Sequence, residues 1–187
     1  MSCSDAMLNA RLIVTNVFPS FGRALVTIKT FRFLAEPSAL GLSAALTKGR
    51  LIKRRLPIQP AFHETDMMGV IHNSVFFLWF EQGRLQIMFE VLPMEDALKL
   101  GVFMPVVENV CHYRKPVKFG QPLLLYTTHH IQPAYEGRLV FHHYLIHEKQ
   151  RTAMAYGQTA MTLVDARTNR LVKEWPEDVW RRYQALK

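Results

Sequence analysis

Cysteine is almost missing from this chain of 187 residues: Cys3 and Cys111 are the only two, and their separation suits neither a metal site nor a redox pair. No disulfide is expected, which fits a reducing compartment. Long apolar runs are missing too. The densest, Val75 to Phe80, stops at Glu81, far short of the roughly 18 residues a membrane helix needs. The sequence therefore predicts no membrane span and a soluble protein. Acids are scarce at the start, where Asp5 and Glu36 stand against Arg11, Arg23, Lys29, Arg32, Lys48 and Arg50. Internal repeats are absent. So is any glycine-rich or aromatic signature of RNA recognition, and no nucleic-acid partner is expected.

What remains is an ordinary globular composition, 49% hydrophobic and 20% charged, long enough for one domain with a real core. The net charge of +8 divides evenly. Residues 1–50 carry six basic and two acidic residues, or +4, which leaves +4 for the other 137. That charge can attract an anionic ligand or an acidic partner protein; general solubility explains it equally well. Residues 1–52 read as an N-terminal extension, resembling an organellar transit peptide in being arginine- and serine-rich and poor in acids, or else a tail. The domain proper is expected over 53–187. The expected location is cytoplasmic, or plastid or mitochondrial if the extension is a transit peptide.

From Leu56 the pattern becomes regular. Leu56 to Phe62 reads as an edge strand because of Pro57 and Pro60, and Lys53-Arg54-Arg55 before it as a solvated boundary. Ser74 to about Leu92 is the main helix, apolar on nearly every face and so expected to be buried on most sides. Gly83 inside it would allow a strand to approach closely, and Pro93 ends it. Met94 to Leu100 forms a short helix or turn ending at Gly101. Strands follow over Phe103–Tyr113, Leu123–Gln132, Arg138–His147 and Thr152–Asp165, and an amphipathic helix over Trp175–Leu186. The fold class is α+β, an antiparallel sheet wrapped around one long central helix. Its exposed edges and far face call for at least a dimer.

The chain is organised around His63-Glu64-Thr65-Asp66-Met67-Met68-Gly69-Val70-Ile71-His72-Asn73-Ser74. An acid lies in a short loop, a glycine follows, and an apolar helix begins. That order puts a carboxylate beside free backbone N–H groups, which can stabilise developing negative charge. Taken alone, Asp66 is equally a turn or capping aspartate, Gly69 a turn glycine and Asn73 a helix cap. Glu64 reads as a solvated loop acid. His63 and His72 flank the loop, with His72 the better substrate contact. Glu81 and Arg84, three apart, can form an ion pair. His129, His130, His142, His143 and His147 invite a metal reading. But His143 and His147 would lie about 13 Å apart along a strand, and no metal is expected.

Thr65-Asp66-Met67-Met68-Gly69-Val70-Ile71-His72-Asn73, then Phe76 and Phe80-Glu81, resembles the signature of the 4-hydroxybenzoyl-CoA thioesterase family of the hotdog fold. Tyr113-Arg114-Lys115-Pro116-Val117-Lys118-Phe119-Gly120 and Thr162-Leu163-Val164-Asp165 with Thr168 and Arg170 resemble its downstream motifs, so the likeness covers about residues 53–180. The resemblance implies hydrolysis of an acyl-CoA or acyl-carrier-protein thioester, with no metal and no cofactor, at sites between the subunits of a homodimer or homotetramer. It implies Asp66 as the catalytic aspartate, a base or nucleophile, Gly69 as the glycine that lets the thioester approach, and Asn73 as the donor of a backbone N–H to the carbonyl. Gly69, Val70, His72 and Asn73 are the candidate substrate contacts. Two positions depart from the pattern: Gln121 stands where many relatives have aspartate, and Phe76 where many have tyrosine. The competing expectation is a non-catalytic hotdog protein for acyl-ligand binding or assembly, which would need no acid at position 66. A dehydratase of related fold would need a histidine motif that the chain lacks.

Overall fold

The computed structural model describes residues 50–132 and 134–187, together with the backbone of Arg11–Val14. In chain order the elements are β1 (Arg11–Val14), β2 (Leu51–Ile58), a one-turn 3-10 helix (Phe62–Glu64), α1 (Val75–Val91) and α2 (Met94–Leu100). They continue with β3 (Val102–Phe103), β4 (Val106–Tyr113), β5 (Leu123–His130), β6 (Leu139–His147) and β7 (Ala153–Met161). The last are β8 (Val164–Asp165), β9 (Arg170–Leu171) and α3 (Glu177–Ala185). Six strands form one antiparallel sheet in the order β1–β4–β7–β6–β5–β2, and β3, β8 and β9 form a small second sheet. Helix α1 packs on one face of the large sheet, touching β2, β4, β5 and β6. This is the expected α+β layout.

The strand alternation explains the packing. Leu123 and Leu125 of β5, and Leu139, Phe141 and Leu145 of β6, turn to the helix side and are fully buried or nearly so. Opposite them, α1 buries Val75, Phe76, Trp79, Phe80, Gly83, Ile87, Met88 and Val91. The apolar contacts form two clusters, one around Phe76, Phe80, Leu125 and Leu145, the other around Ile87, Phe141, Trp175 and Tyr183. Gly83 marks the close approach foreseen for it: a Cβ there would overlap Thr127 Oγ1 of β5. Gly101, at φ +64°, closes α2 in the left-handed conformation that favours glycine.

Several boundaries differ from the sequence reading. The edge strand is Leu51–Ile58, not Leu56–Phe62, and Phe62 belongs to the 3-10 turn. Lys53-Arg54-Arg55 is thus strand, not boundary. Arg54 reaches α1 and makes a two-pronged bond to Glu90, at 2.7 and 2.6 Å. Pro105 separates β3 from β4, and Thr162-Leu163 separates β7 from β8. Helix α1 is buried on one side only: Leu78 and Phe89 are exposed, because the sheet covers a single face. Arg11–Val14 pairs with β4 as the outermost strand, while residues 1–10 and 15–49 of the expected extension lie outside the described residues. Among the described residues, no helix is long and apolar enough to cross a membrane.

Candidate active site

Residues 61–74 form a compact loop between β2 and α1. Glu64 is not simply solvated: its Oε2 accepts the Ala61 N–H at 2.7 Å and closes the 3-10 turn. Thr65 bridges Ile71, and the His72 N–H donates to the Glu64 carbonyl at 2.8 Å. The tip of this small hairpin runs from Asp66 to Val70. It is closed by Asp66 N–H to Val70 O at 2.9 Å and Gly69 N–H to Asp66 O at 3.0 Å. Gly69 takes φ +70°, and open space lies where its side chain would be. The tip needs that backbone and presents a bare surface. The Ile71 N–H donates to the Val117 carbonyl at 2.7 Å, which ties the hairpin to the segment after β4.

Asp66 is half-buried at the start of this tip. Its Oδ1 accepts the Met68 N–H at 2.8 Å and, more weakly, the Val70 N–H at 3.5 Å. The aspartate therefore does build its own turn. That leaves Oδ2 with no donor among the described residues, on a carboxylate whose orientation is fixed. Val70 is 8% exposed and turns its side chain inward. His72 and Asn73 are exposed.

The helix start is pinned at two successive peptides. The His72 carbonyl accepts the Val75 N–H at 3.0 Å, and the Asn73 carbonyl accepts the Tyr113 hydroxyl at 2.9 Å. The Ser74 N–H donates to His72 Nδ1 at 3.3 Å, and Ser74 Oγ lies 2.8 Å from the same nitrogen. Nδ1 is thus the acceptor, and a neutral ring carries its proton on Nε2, pointing away. No acceptor among the described residues takes the Asn73 N–H. A free donor and the positive end of α1 therefore coincide there. Around the hairpin, Phe62, Met67, Met68 and Phe119 are exposed, with the Phe62 and Phe119 rings edge to face at 5.8 Å. Gln121 fulfils a turn role, its Oε1 accepting the Lys118 N–H at 2.9 Å.

Sequence reasoning placed Tyr113 in a downstream motif but gave it no part in the site. It comes from β4, forty residues along the chain, and packs edge-on against Phe76 with ring centres 5.0 Å apart. It also missed a polar row beneath the middle of α1, between the two apolar clusters. Thr159 donates to Asn109 Oδ1 at 2.7 Å, so its oxygen accepts from His143 Nε2 at 3.2 Å, and His143 Nδ1 accepts from Thr127 at 3.0 Å. His143 is fully buried and stacks on Phe80 at 4.5 Å. Burial, the Arg84 charge and His142 hold its pKa well below the ordinary imidazole value. Arg84 is itself 6% exposed and reaches Glu81 at 3.5 Å, the pair expected from their spacing. His129 is held similarly, bonded to the Val140 carbonyl and the Tyr183 hydroxyl at 2.8 Å each. Among the described residues, no three His, Cys, Asp or Glu side chains gather as a metal site would need.

The sequence model of the thioesterase-like superfamily matches residues 60–182, a span that holds the hairpin, α1 and all of β4 to β9. The chain belongs to this superfamily. It is 31% identical over 71 residues to the putative acyl-CoA thioesterase YneP of Bacillus subtilis, a match covering 37% of this chain and 51% of that one. It therefore spans about half the length of that relative. Among solved structures, the hypothetical protein TT1821 from Thermus thermophilus superposes with a TM-score of 0.61 at 28% identity, over 73% of this chain and 98% of the other. The DHNA-CoA thioesterase from Staphylococcus aureus gives 0.58 at 23% identity, over 65% and 80%. As a thioesterase-like chain it has the hotdog fold, with the sheet laid around α1.

Proposed function

We propose that the chain is a thioester hydrolase, a member of the 4-hydroxybenzoyl-CoA thioesterase branch, that cleaves an acyl-CoA or acyl-carrier-protein thioester to free acid and thiol. The observation that carries this is the geometry of Asp66. One carboxylate oxygen is locked in the hairpin turn, and the other accepts no hydrogen bond among the described residues, in the loop that leads into α1. Superfamily membership supports the reading, as do the names of YneP and the S. aureus enzyme.

In this mechanism the acyl carbonyl lies against the Asn73 N–H at the start of α1. That donor and the helix dipole stabilise the oxyanion as it forms. Oδ2 of Asp66 removes a proton from water as the water adds to the acyl carbon, or attacks that carbon itself to give an anhydride that water then opens. As the C–S bond breaks, the first route returns that proton from Asp66 to the sulfur; in the second a thiolate leaves and is protonated by the proton released when water opens the anhydride. The bare backbone at Gly69, with Val70 beside it, lets the thioester lie close, and the outward Nε2 of His72 donates to the substrate. The exposed apolar side chains Phe62, Met67, Met68 and Phe119 form one wall, and a second subunit of a homodimer or homotetramer forms the other.

A thiol-release assay over a panel of acyl-CoA and acyl-carrier-protein substrates tests the proposal. Asp66→Asn is expected to stay folded and to lose turnover by a factor on the order of 100 or more. Equal rates for the two proteins would remove Asp66 from the mechanism. No release from any substrate would return the chain to acyl-ligand binding.

A further inference from the structure

The two peptides at the start of α1 need separate fastenings. In a trans peptide the N–H points opposite to the C=O, so whatever holds the carbonyl aims the amide. The peptide joining His72 to Asn73 is held within the helix start, by the Val75 N–H on the His72 carbonyl. The next peptide, joining Asn73 to Ser74, donates its N–H to His72 Nδ1 at 3.3 Å, but its carbonyl has no hold within the helix. The Phe77 N–H, whose ordinary α-helical acceptor would be the Asn73 carbonyl, donates to the Ser74 carbonyl at 3.1 Å instead. The Asn73 carbonyl is taken by the Tyr113 hydroxyl, at 2.9 Å, from across the sheet.

We propose that Tyr113 is a positioning residue for the reaction: its hydroxyl fixes the Asn73–Ser74 peptide, whose N–H holds His72 Nδ1, and thereby the pose of His72 and of the Asn73 residue that carries the free N–H. The inference rests on the thioesterase reading for its kinetic consequence, but not for its structural one. Tyr113 is well placed for the task. It sits on β4, a strand of the main sheet, and its ring is wedged edge-on against Phe76. Cys111, fully buried, lies two residues back on the same strand. Burial and the Cys111 thiol push the phenol's pKa up, so the hydroxyl keeps its proton and remains a donor throughout the working range. Phe76, in the first turn of α1, has no hydroxyl, and the polar contact at this helix end comes from the strand instead.

The test compares the full chain with Tyr113→Phe, which removes one oxygen and leaves the ring. The expected result is a kcat lowered by about tenfold, less than loss of a direct oxyanion donor would cause, with KM changed less than about twofold. The melting temperature should stay close to that of the parent. The amide 15N and 1H resonances of Ser74 should move, because its peptide has lost the bond on its carbonyl. Placing 4-aminophenylalanine at position 113, which restores a donor at the ring's end, should recover most of kcat. An unshifted Ser74 amide would overturn the proposal, and so would a kcat lost only in proportion to lost folded protein. If the parent chain cleaves no thioester, the thioesterase reading fails while the Ser74 resonance still decides the role of Tyr113. A moved resonance with unchanged kcat would confine Tyr113 to structure and overturn the proposal.

Discussion

His143 and His72 show what surroundings make of one side chain. His143 lies in the middle of the sheet, fully buried, with both ring nitrogens bonded to threonines and a phenylalanine stacked on its face. Nothing about it is open to a ligand. His72 lies in the loop, exposed, one nitrogen fixed by Ser74 and the other without a hydrogen bond among the described residues. Burial with complete hydrogen bonding produces stability and a suppressed charge. Exposure with one bond free produces a group that is aimed yet available. The same contrast holds more broadly between the polar row under α1 and the hairpin of Asp66.

The contrast can be broken most forcefully from the inside. His143→Ala should cost about 3 kcal/mol of stability, since it opens a cavity and strands Thr127 and Thr159. The check is a urea titration, and a stability within 1 kcal/mol of the parent would deny the row its structural role. Acidification should act through the same groups. Burial lowers the folded-state pKa of His129 to about 4, and that of His143 well below the usual value. Above about pH 6.5 both the folded and unfolded chains are neutral at these sites. Below it the unfolded chain binds protons that the folded chain refuses, so stability falls as pH drops. For His129 alone the loss reaches roughly 3 kcal/mol by about pH 4. Stability curves at successive pH values check this, and a flat profile between pH 6.5 and 4 would contradict it.

Smaller effects sharpen the comparison. Gly83→Ala should destabilise by about 1–2 kcal/mol, because overlap with Thr127 outweighs the gain in helix propensity. A rise in melting temperature would show that β5 can yield. His72→Ala should leave stability within about 0.5 kcal/mol of the parent while lowering kcat/KM for thioester cleavage. A folding defect there would place His72 with His143 after all. The smallest effect is expected from a chain starting at Arg50, which should fold and turn over as the parent does. Loss of soluble protein would show that the strand paired on β4 is needed.

The legible parts of the fold were those written in short-range pattern. The apolar spacing from Val75 to Val91 and the stop at Pro93 mark α1, and turn residues bracket β5 and β6. The errors have physical causes. Pro57 and Pro60 drew the edge strand too late, although an edge tolerates proline inside the strand. Pro105 divided a run of strand-forming residues that read as continuous. In the site, the acid, the glycine and the helix start were legible because they lie within nine residues of one another. Tyr113 was not, since its bond to Asn73 spans forty residues and depends on how β4 meets α1. Nor was the polar row: the histidines of β5 and β6 invited a metal reading, and the threonine partners of His143 lie on neighbouring strands, far apart in the sequence.

That row has a direction. Thr127 gives its proton to His143, His143 to Thr159, and Thr159 to Asn109, so the donors all face the same way across β5, β6, β7 and β4. Sliding any one of these strands by a residue would turn its member to the opposite face and sever the sequence there. The sheet thus carries an alignment key in its interior, and it can close in one register only.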